Sequence, residues 1–219
     1  MKKYLSFILS FIFIVNFANS QLLQVPKELN IAVLVYNGVY LLDFAGPVEV
    51  FNDATLVDKS LTFNLYTVAA DNQTIKCHTG TRIIPDFTFA NCPKPDILIV
   101  PGGDLELLQS NPKVRVWLSD AYNTSKYVIS ICTGAFIIAE LGILNNLEAT
   151  TWHDANDNLQ KLYPFVKVVK KRFTDNGKVL TTAGVSAGID GSLHLLQNIY
   201  GTELANKVMK YIEFNCKTD

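Results

Sequence analysis

The chain has 219 residues, of which 49% are hydrophobic and 18% charged, a composition that suits one globular domain and excludes a disordered or fibrous protein. Its 19 basic and 20 acidic side chains nearly cancel, so no overall field favours nucleic acid or an anionic membrane as a partner. We therefore expect a single domain whose partner is not a polyanion.

The first 20 residues have the features of a secretory signal peptide. The segment "MKKYLSFILSFIFIVNFANS" begins with two lysines, continues as an apolar stretch and ends in small residues. The apolar stretch is shorter than the roughly 20 residues of a membrane-spanning helix, which disfavours an uncleaved anchor. We expect cleavage near Ser20-Gln21, export to the periplasm or the medium without further membrane contact, and a mature domain over residues 21–219.

After this segment, short β-branched apolar runs alternate with longer helical stretches, which predicts an α/β domain with a mostly parallel sheet and helices on both faces. The predicted strands are Asn30–Tyr36, Thr62–Ala70, Asp96–Val100, Tyr127–Ile131 and Lys178–Ala183. The predicted helices are Val48–Ala54, Pro112–Asn123, Gly134–Leu141, Asp154–Leu162, Ala187–Tyr200 and Glu203–Phe214. Asn176-Gly177 predicts a hairpin that adds an antiparallel strand to the sheet.

Cys132 directly follows a predicted strand, and a helix begins at once after it, with Gly134 allowing the sharp reversal. This order resembles a nucleophile elbow, a strained turn that exposes a nucleophile above the sheet. Amides at a helix start and the positive end of the helix dipole favour a thiolate, so we expect a lowered pKa for Cys132. A buried, unreactive cysteine is the alternative.

Two other predicted strands end in residues suited to the same site, because the carboxyl ends of parallel strands meet at one edge of the sheet. "DILIVPGGD" supplies Gly102 and Gly103, and an oxyanion hole made by the amides of Gly103 and Thr133 is the functional interpretation. An ordinary turn is the alternative. "LLDFAGPVEVF" supplies Asp43, expected in a loop, where a partly apolar setting would raise its pKa and let it act as a general acid. Helix capping is the alternative for Asp43.

Five ordered motifs make the chain resemble the ThiJ/PfpI superfamily, which has a flavodoxin-like, class I glutaminase-like fold. They are "LDFAGPVEVF", "PDILIVPGG", "SICTGAFIIAELGIL", "EATTWHDANDNLQKLYP" and "TTAGVSAGID". The resemblance runs from about Ile31 to the C-terminus. It is strongest to the isonitrile hydratase branch and to the amidase-like domain fused to AraC-type regulators.

The resemblance implies that Cys132 is the nucleophile, that Asp43 is the carboxylate beside it, and that Thr133 lines the pocket. It also implies that the amides of Gly103 and Thr133 bind developing charge and that the protein is a homodimer. In isonitrile hydratases the cysteine attacks the terminal isonitrile carbon, the carboxylate moves protons, and water releases an N-substituted formamide.

One motif departs from the family pattern. The branch usually reads Thr-Thr-His-Trp, whereas this chain has Trp152 followed by His153. A shift of one residue changes the direction in which a side chain points, so two interpretations stay open: a catalytic His153, or a Trp152 that forms part of the pocket wall. None of the histidines has the spacing of a metal site, and we expect no metal or other cofactor.

Two functions follow from these observations. The first is an exported cysteine-dependent hydratase or hydrolase of a small molecule, similar to isonitrile hydratase. The second is a non-catalytic domain that senses a ligand or a redox change through the same elbow. Export would permit a disulfide among Cys77, Cys92 and Cys216, and the sequence does not select a pair.

Overall fold

The computed structural model describes residues 25–105 and 111–214, so the predicted signal segment and Cys216 lie outside the described residues. The strands are β1 (Glu28–Leu34), β2 (Thr62–Ala69), β3 (Ile75–Lys76), β4 (Arg82–Ile83), β5 (Phe87–Thr88), β6 (Ile97–Val100), β7 (Tyr127–Ile131), β8 (Glu148–Ala149), β9 (Lys167–Val168), β10 (Phe173–Asp175) and β11 (Val179–Thr182). The helices are α1 (Leu41–Val57), α2 (Pro112–Thr124), α3 (Gly134–Glu140), α4 (Asn156–Leu162), α5 (Ala187–Tyr200) and α6 (Thr202–Tyr211). A 3₁₀ turn over His153–Ala155 precedes α4.

A seven-stranded sheet with the order β10-β11-β7-β6-β1-β2-β5 forms the centre of the molecule. All neighbouring strands in it are parallel except β10 and β11. The four residues of β6 are fully buried, as expected for a β-branched strand covered on both faces. Helices α1, α5 and α6 pack against one another, and α3 packs against β6 and β7. The predicted α/β class with a mostly parallel sheet is thus confirmed.

The five predicted strands are present, each within two residues of its expected bounds. The hairpin at Asn176-Gly177 is also confirmed, because β10 and β11 pair antiparallel on either side of it. Gly177 has φ +79 and its N–H donates to Asp175 Oδ1 at 2.7 Å. The turn residues therefore set the position of β10, the one antiparallel strand of the seven-stranded sheet.

Helix α1 begins earlier than the sequence predicted. The expectation was a loop containing Asp43, then a helix that starts after Gly46-Pro47, because proline is favoured in a first helical turn. In the structure α1 starts at Leu41, Asp43 lies in its first turn, and Pro47 lies inside the helix. Gly46 and Pro47 are buried against α5, so tertiary packing outweighs the cost of an internal proline.

Three of the four cysteines lie in the described part of the chain, and Cys77, Cys92 and Cys132 are all free thiols there. Within residues 25–105 and 111–214, no group of three or more His, Cys, Asp or Glu side chains is arranged to hold a metal ion. No helix in these same ranges has the length and apolar character needed to cross a membrane.

Candidate active site

Cys132 lies in a strained turn between β7 and α3. Its φ is +56, in the left-handed region that costs a non-glycine residue roughly 1–2 kcal/mol. Two hydrogen bonds hold it there: its N–H donates to Ala183 O at 3.2 Å, and its carbonyl accepts the Thr151 hydroxyl at 2.7 Å. Gly134 permits the close approach to β6, because a Cβ at that position would lie 2.1 Å from Val100 O. The strained strand-to-helix turn expected of an elbow is therefore present.

The carboxyl group of Asp43 is completely buried beside this turn, with 0% of the residue exposed. Its Oδ2 accepts the Gly102 N–H at 3.0 Å, and the Cys132 thiol and the Val185 N–H also interact with the carboxyl. The second oxygen, Oδ1, makes no hydrogen bond of normal geometry among the described residues. A buried oxygen without a full partner is suited to binding a proton.

Burial raises the pKa of Asp43 to about 6, although the Gly102 N–H, the Cys132 thiol and the Val185 N–H act in the opposite direction. The carboxyl is therefore mostly ionised at neutral pH and close to its titration range. A group with such a pKa can both accept and return a proton during a reaction.

Burial also raises the pKa of Cys132, to about 12, and the negative charge of Asp43 adds to the increase. The N–H groups of Thr133 and Val185 act against it. The sequence predicted a lowered pKa, and this prediction was wrong. Helix α3 has only seven residues, and Cys132 is 4% exposed, so loss of water and the nearby carboxylate outweigh the helix start. At neutral pH the site therefore holds a thiol beside a carboxylate.

The expected oxyanion hole is only partly available in this structure. The Gly103 N–H donates to Thr133 Oγ1 at 3.1 Å, and the Gly102 N–H is bound to Asp43. The backbone amides that act on the Cys132 sulfur are those of Thr133 and Val185. Thr133 therefore lines the site as expected. The amides of Gly102 and Gly103 are instead hydrogen-bonded to Asp43 and Thr133.

Two site residues were missed by the sequence analysis. Val185 has φ +55, which is a genuine strain for a β-branched residue, and its N–H interacts with both Asp43 and Cys132. The amino-acid sequence around Val185 gives no indication of a positive φ. Tyr36 donates its hydroxyl to Pro101 O at 3.1 Å and so fixes the turn that carries Gly103. Its place at the end of the first strand could have indicated this role.

The structure places Trp152 and His153, the two candidates in the motif that departs from the family pattern, in different surroundings. Trp152 lies against Gly184, at the edge of the Cys132 site. The His153 side chain is 75% exposed, and its Nδ1 lies 2.8 Å from Asp154 Oδ1. Of these two residues, Trp152 is therefore brought to the thiol and His153 faces solvent.

A parallel sheet, a strained cysteine at the end of a central strand and a buried carboxyl beside it define an α/β domain built around a cysteine. The chain belongs to the DJ-1/PfpI family, whose sequence pattern matches residues 29–198. Isonitrile hydratase from Pseudomonas putida is 31% identical over 187 residues, covering 85% of this chain and 78% of that protein. The HTH-type transcriptional regulator CdhR from Pseudomonas aeruginosa is 28% identical over 175 residues, covering 80% of this chain and 52% of the regulator.

Solved structures agree with this assignment. A ThiJ/PfpI family protein from Pseudomonas syringae superimposes with a TM-score of 0.78 at 25% identity, covering 91% of this chain and 81% of that chain. Drosophila melanogaster DJ-1beta superimposes with a TM-score of 0.74 at 17% identity, covering 86% of this chain and 100% of that chain. The second likeness shows the fold alone.

Proposed function

We propose that this protein is an exported cysteine-dependent hydratase or hydrolase of a small molecule, with chemistry like that of isonitrile hydratase. The observation that carries the proposal is the contact between the Cys132 thiol and the Asp43 carboxyl, whose pKa is about 6. The 31% identical relative that is named isonitrile hydratase supports the substrate class.

In the proposed reaction, the thiol proton of Cys132 passes to ionised Asp43 as the sulfur forms a bond to the terminal carbon of an isonitrile, R–NC. Asp43 then gives a proton to that carbon, which leaves a thioimidate, R–N=CH–S–Cys132. Water then adds to the same carbon, and Asp43 accepts one proton from this water and gives it to the nitrogen. The carbon–sulfur bond breaks, the remaining hydroxyl proton returns to sulfur through Asp43, and R–NH–CHO leaves. One isonitrile and one water thus give one formamide, and the free thiol is restored.

The amides of Thr133 and Val185 have a defined part in this scheme. Negative charge develops on the sulfur as it loses its proton and again when the carbon–sulfur bond breaks. Both N–H groups act on that sulfur and lower the pKa of Cys132. Fixed backbone donors of this kind stabilise developing charge without reorganisation during the reaction.

The test compares wild type, Cys132→Ser and Asp43→Asn with benzyl isonitrile, a primary amide and an α-oxoaldehyde as substrates, and measures product by chromatography. We expect the formamide from the isonitrile with wild type, no product with Cys132→Ser, and a loss of about 100-fold or more with Asp43→Asn. Cys92→Ser is the matched control and should keep the wild-type rate. Absence of Cys132-dependent turnover for all three compounds would overturn the proposal.

A second candidate is a non-catalytic ligand-sensing domain. Its support is the likeness to the regulator CdhR together with the high pKa of Cys132. A redox-sensing form of this candidate is less well supported, since oxidation favours exposed thiolates and Cys132 is buried with a raised pKa. An increase in melting temperature with an isonitrile or amide, without turnover, would favour this candidate.

Export and a homodimer are also parts of the proposal, and a separate measurement tests each. The support for export is the basic and apolar segment before Gln21. Intact mass of protein recovered from the periplasm or the medium should correspond to a chain that starts near Gln21. Sedimentation should give the mass of two chains.

A further inference from the structure

Hydrogen bonds connect the segment that carries Trp152 to the turn that contains Cys132 and to β11. The Thr151 hydroxyl donates to the Cys132 carbonyl at 2.7 Å, and the Thr150 N–H donates to Thr181 Oγ1, also at 2.7 Å. Both threonines are buried. The position of Trp152 relative to the sulfur is therefore set by two short hydrogen bonds to β11 and to the cysteine itself.

Gly184 defines the space between the indole and the thiol. A Cβ built on Gly184 would lie 2.8 Å from Trp152 Cδ1 and 3.5 Å from the Cys132 sulfur. A methyl group at this position would overlap the indole and touch the sulfur. The absence of a side chain at Gly184 therefore lets the indole lie close beside the sulfur.

The indole is accessible to a ligand, because 39% of Trp152 is exposed. Val185, whose amide acts on Cys132, is apolar and 37% exposed. The ring of His153 contacts the indole edge to face, and the His153 side chain is 75% exposed. The exposed apolar side chains of Trp152 and Val185 therefore form a rim beside the buried thiol.

We infer that Trp152 determines the specificity of the Cys132 site, and that its substrate carries a planar apolar group which stacks on the exposed indole while the reactive carbon reaches the adjacent sulfur. This inference rests on the proposed function and adds to it the class of substituent. An aromatic substituent on such a wall gains both apolar burial and a favourable ring contact.

The experiment has two independent arms. The first measures kcat/KM for benzyl isonitrile relative to methyl isonitrile. The second measures the labelling rate of Cys132 with N-phenylmaleimide relative to N-methylmaleimide, with the labelled peptide identified by mass spectrometry. Wild type should favour the aromatic compound in both arms. Trp152→Ala should lower each preference by about tenfold, the effect of losing one aromatic contact.

Two further variants sharpen the result. Gly184→Ala places a methyl group 2.8 Å from Trp152 Cδ1, which displaces the indole from the sulfur, so it should slow labelling by N-phenylmaleimide more than labelling by N-methylmaleimide. Phe165→Ala removes an exposed aromatic residue on the loop after α4 and should leave both ratios unchanged. If labelling shows the aromatic preference but no isonitrile, amide or α-oxoaldehyde is turned over, the proposed function fails and the inference about Trp152 stands.

Unchanged ratios in Trp152→Ala overturn the inference, even if isonitrile turnover is intact. If that variant instead changes the sedimentation coefficient with unchanged ratios, the rim is covered by a second copy of the chain, and the inference is equally overturned.

Discussion

The thiol of Cys132 lowers the pKa of Asp43, whereas the carboxylate of Asp43 raises the pKa of Cys132. Both effects favour the same distribution of the proton, on sulfur rather than on oxygen. The resting site is therefore a thiol beside a carboxylate, and in the proposed reaction the nucleophile forms by transfer of one proton from sulfur to the carboxylate. This relationship determines how the site should respond to pH.

Reactivity at Cys132 should depend on the ionisation of Asp43. With a carboxyl pKa of about 6, the group loses its capacity to accept a proton as the pH falls through that value. The rate of Cys132 labelling by N-methylmaleimide should therefore rise with a midpoint near pH 6, and this limb should be absent in Asp43→Asn. A single midpoint near 8.5, the value of an ordinary cysteine, would show that the thiol reacts without Asp43.

The same carboxyl should cost stability at neutral pH. Its pKa is raised from 3.8 to about 6 on folding, so the native state binds the extra proton, and the associated stability is present below about pH 4 and lost as the pH rises through 6. A shift of this size corresponds to about 3 kcal/mol. Urea unfolding should show Asp43→Asn to be more stable than wild type by up to this amount at pH 8, with the difference vanishing near pH 4. Asp120→Asn, at an exposed position on α2, serves as the control and should show no such gain.

Val185→Gly should separate stability from reactivity. Glycine adopts φ +55 without strain, so the free energy of unfolding should stay level or rise by about 1 kcal/mol. The labelling rate of Cys132 should fall several-fold, because the amide that faces the sulfur is less firmly fixed. Val116→Gly, on the exposed face of α2, should lose about 0.5 kcal/mol and keep the labelling rate. A Val185→Gly protein with lower stability and normal labelling would contradict this account of the strain.

Gly134→Ala tests the close approach of the elbow to β6. A Cβ at 2.1 Å from Val100 O forces the backbone apart, so we expect a loss of at least about 3 kcal/mol or failure to fold. Gly177→Ala is the control: its φ of +79 is strained for alanine, but nothing lies within 4 Å of the new atom. That variant should lose only about 1 kcal/mol. Equal losses in thermal unfolding would mean that the contact with Val100 relaxes easily.

The strands and most helices of this fold could be predicted because β-branched runs, turn residues and apolar periodicity are local features of the sequence. The start of α1 could not, since it depends on how Gly46 and Pro47 pack against α5. A proline that locally favours a helix start is tolerated inside a helix only because of neighbours distant in the chain.

The candidate site, like the fold, could be predicted from the sequence only in part. Cys132 and Asp43 could be proposed because Cys132 directly follows a strand and Asp43 lies in the segment after another strand, and parallel topology brings both segments to one edge. The direction of the Cys132 pKa could not, because it depends on how completely the sulfur is removed from water and on the charge placed next to it. The Gly103 N–H was expected to be available to a ligand. In the structure it donates to the Thr133 hydroxyl, and this contact exists only in the folded turn.

The placement of Asp43 in the first turn of a 17-residue helix has a consequence for how this family can diverge. Asp43 is held by the layer that α1 forms with α5 and α6, whereas Cys132 is held by the turn between β7 and α3. Trp152 lies on a short connection outside these elements, the kind of segment in which sequences vary most. Exchange of Trp152 should therefore change the substrate while the carboxyl and the thiol keep their arrangement.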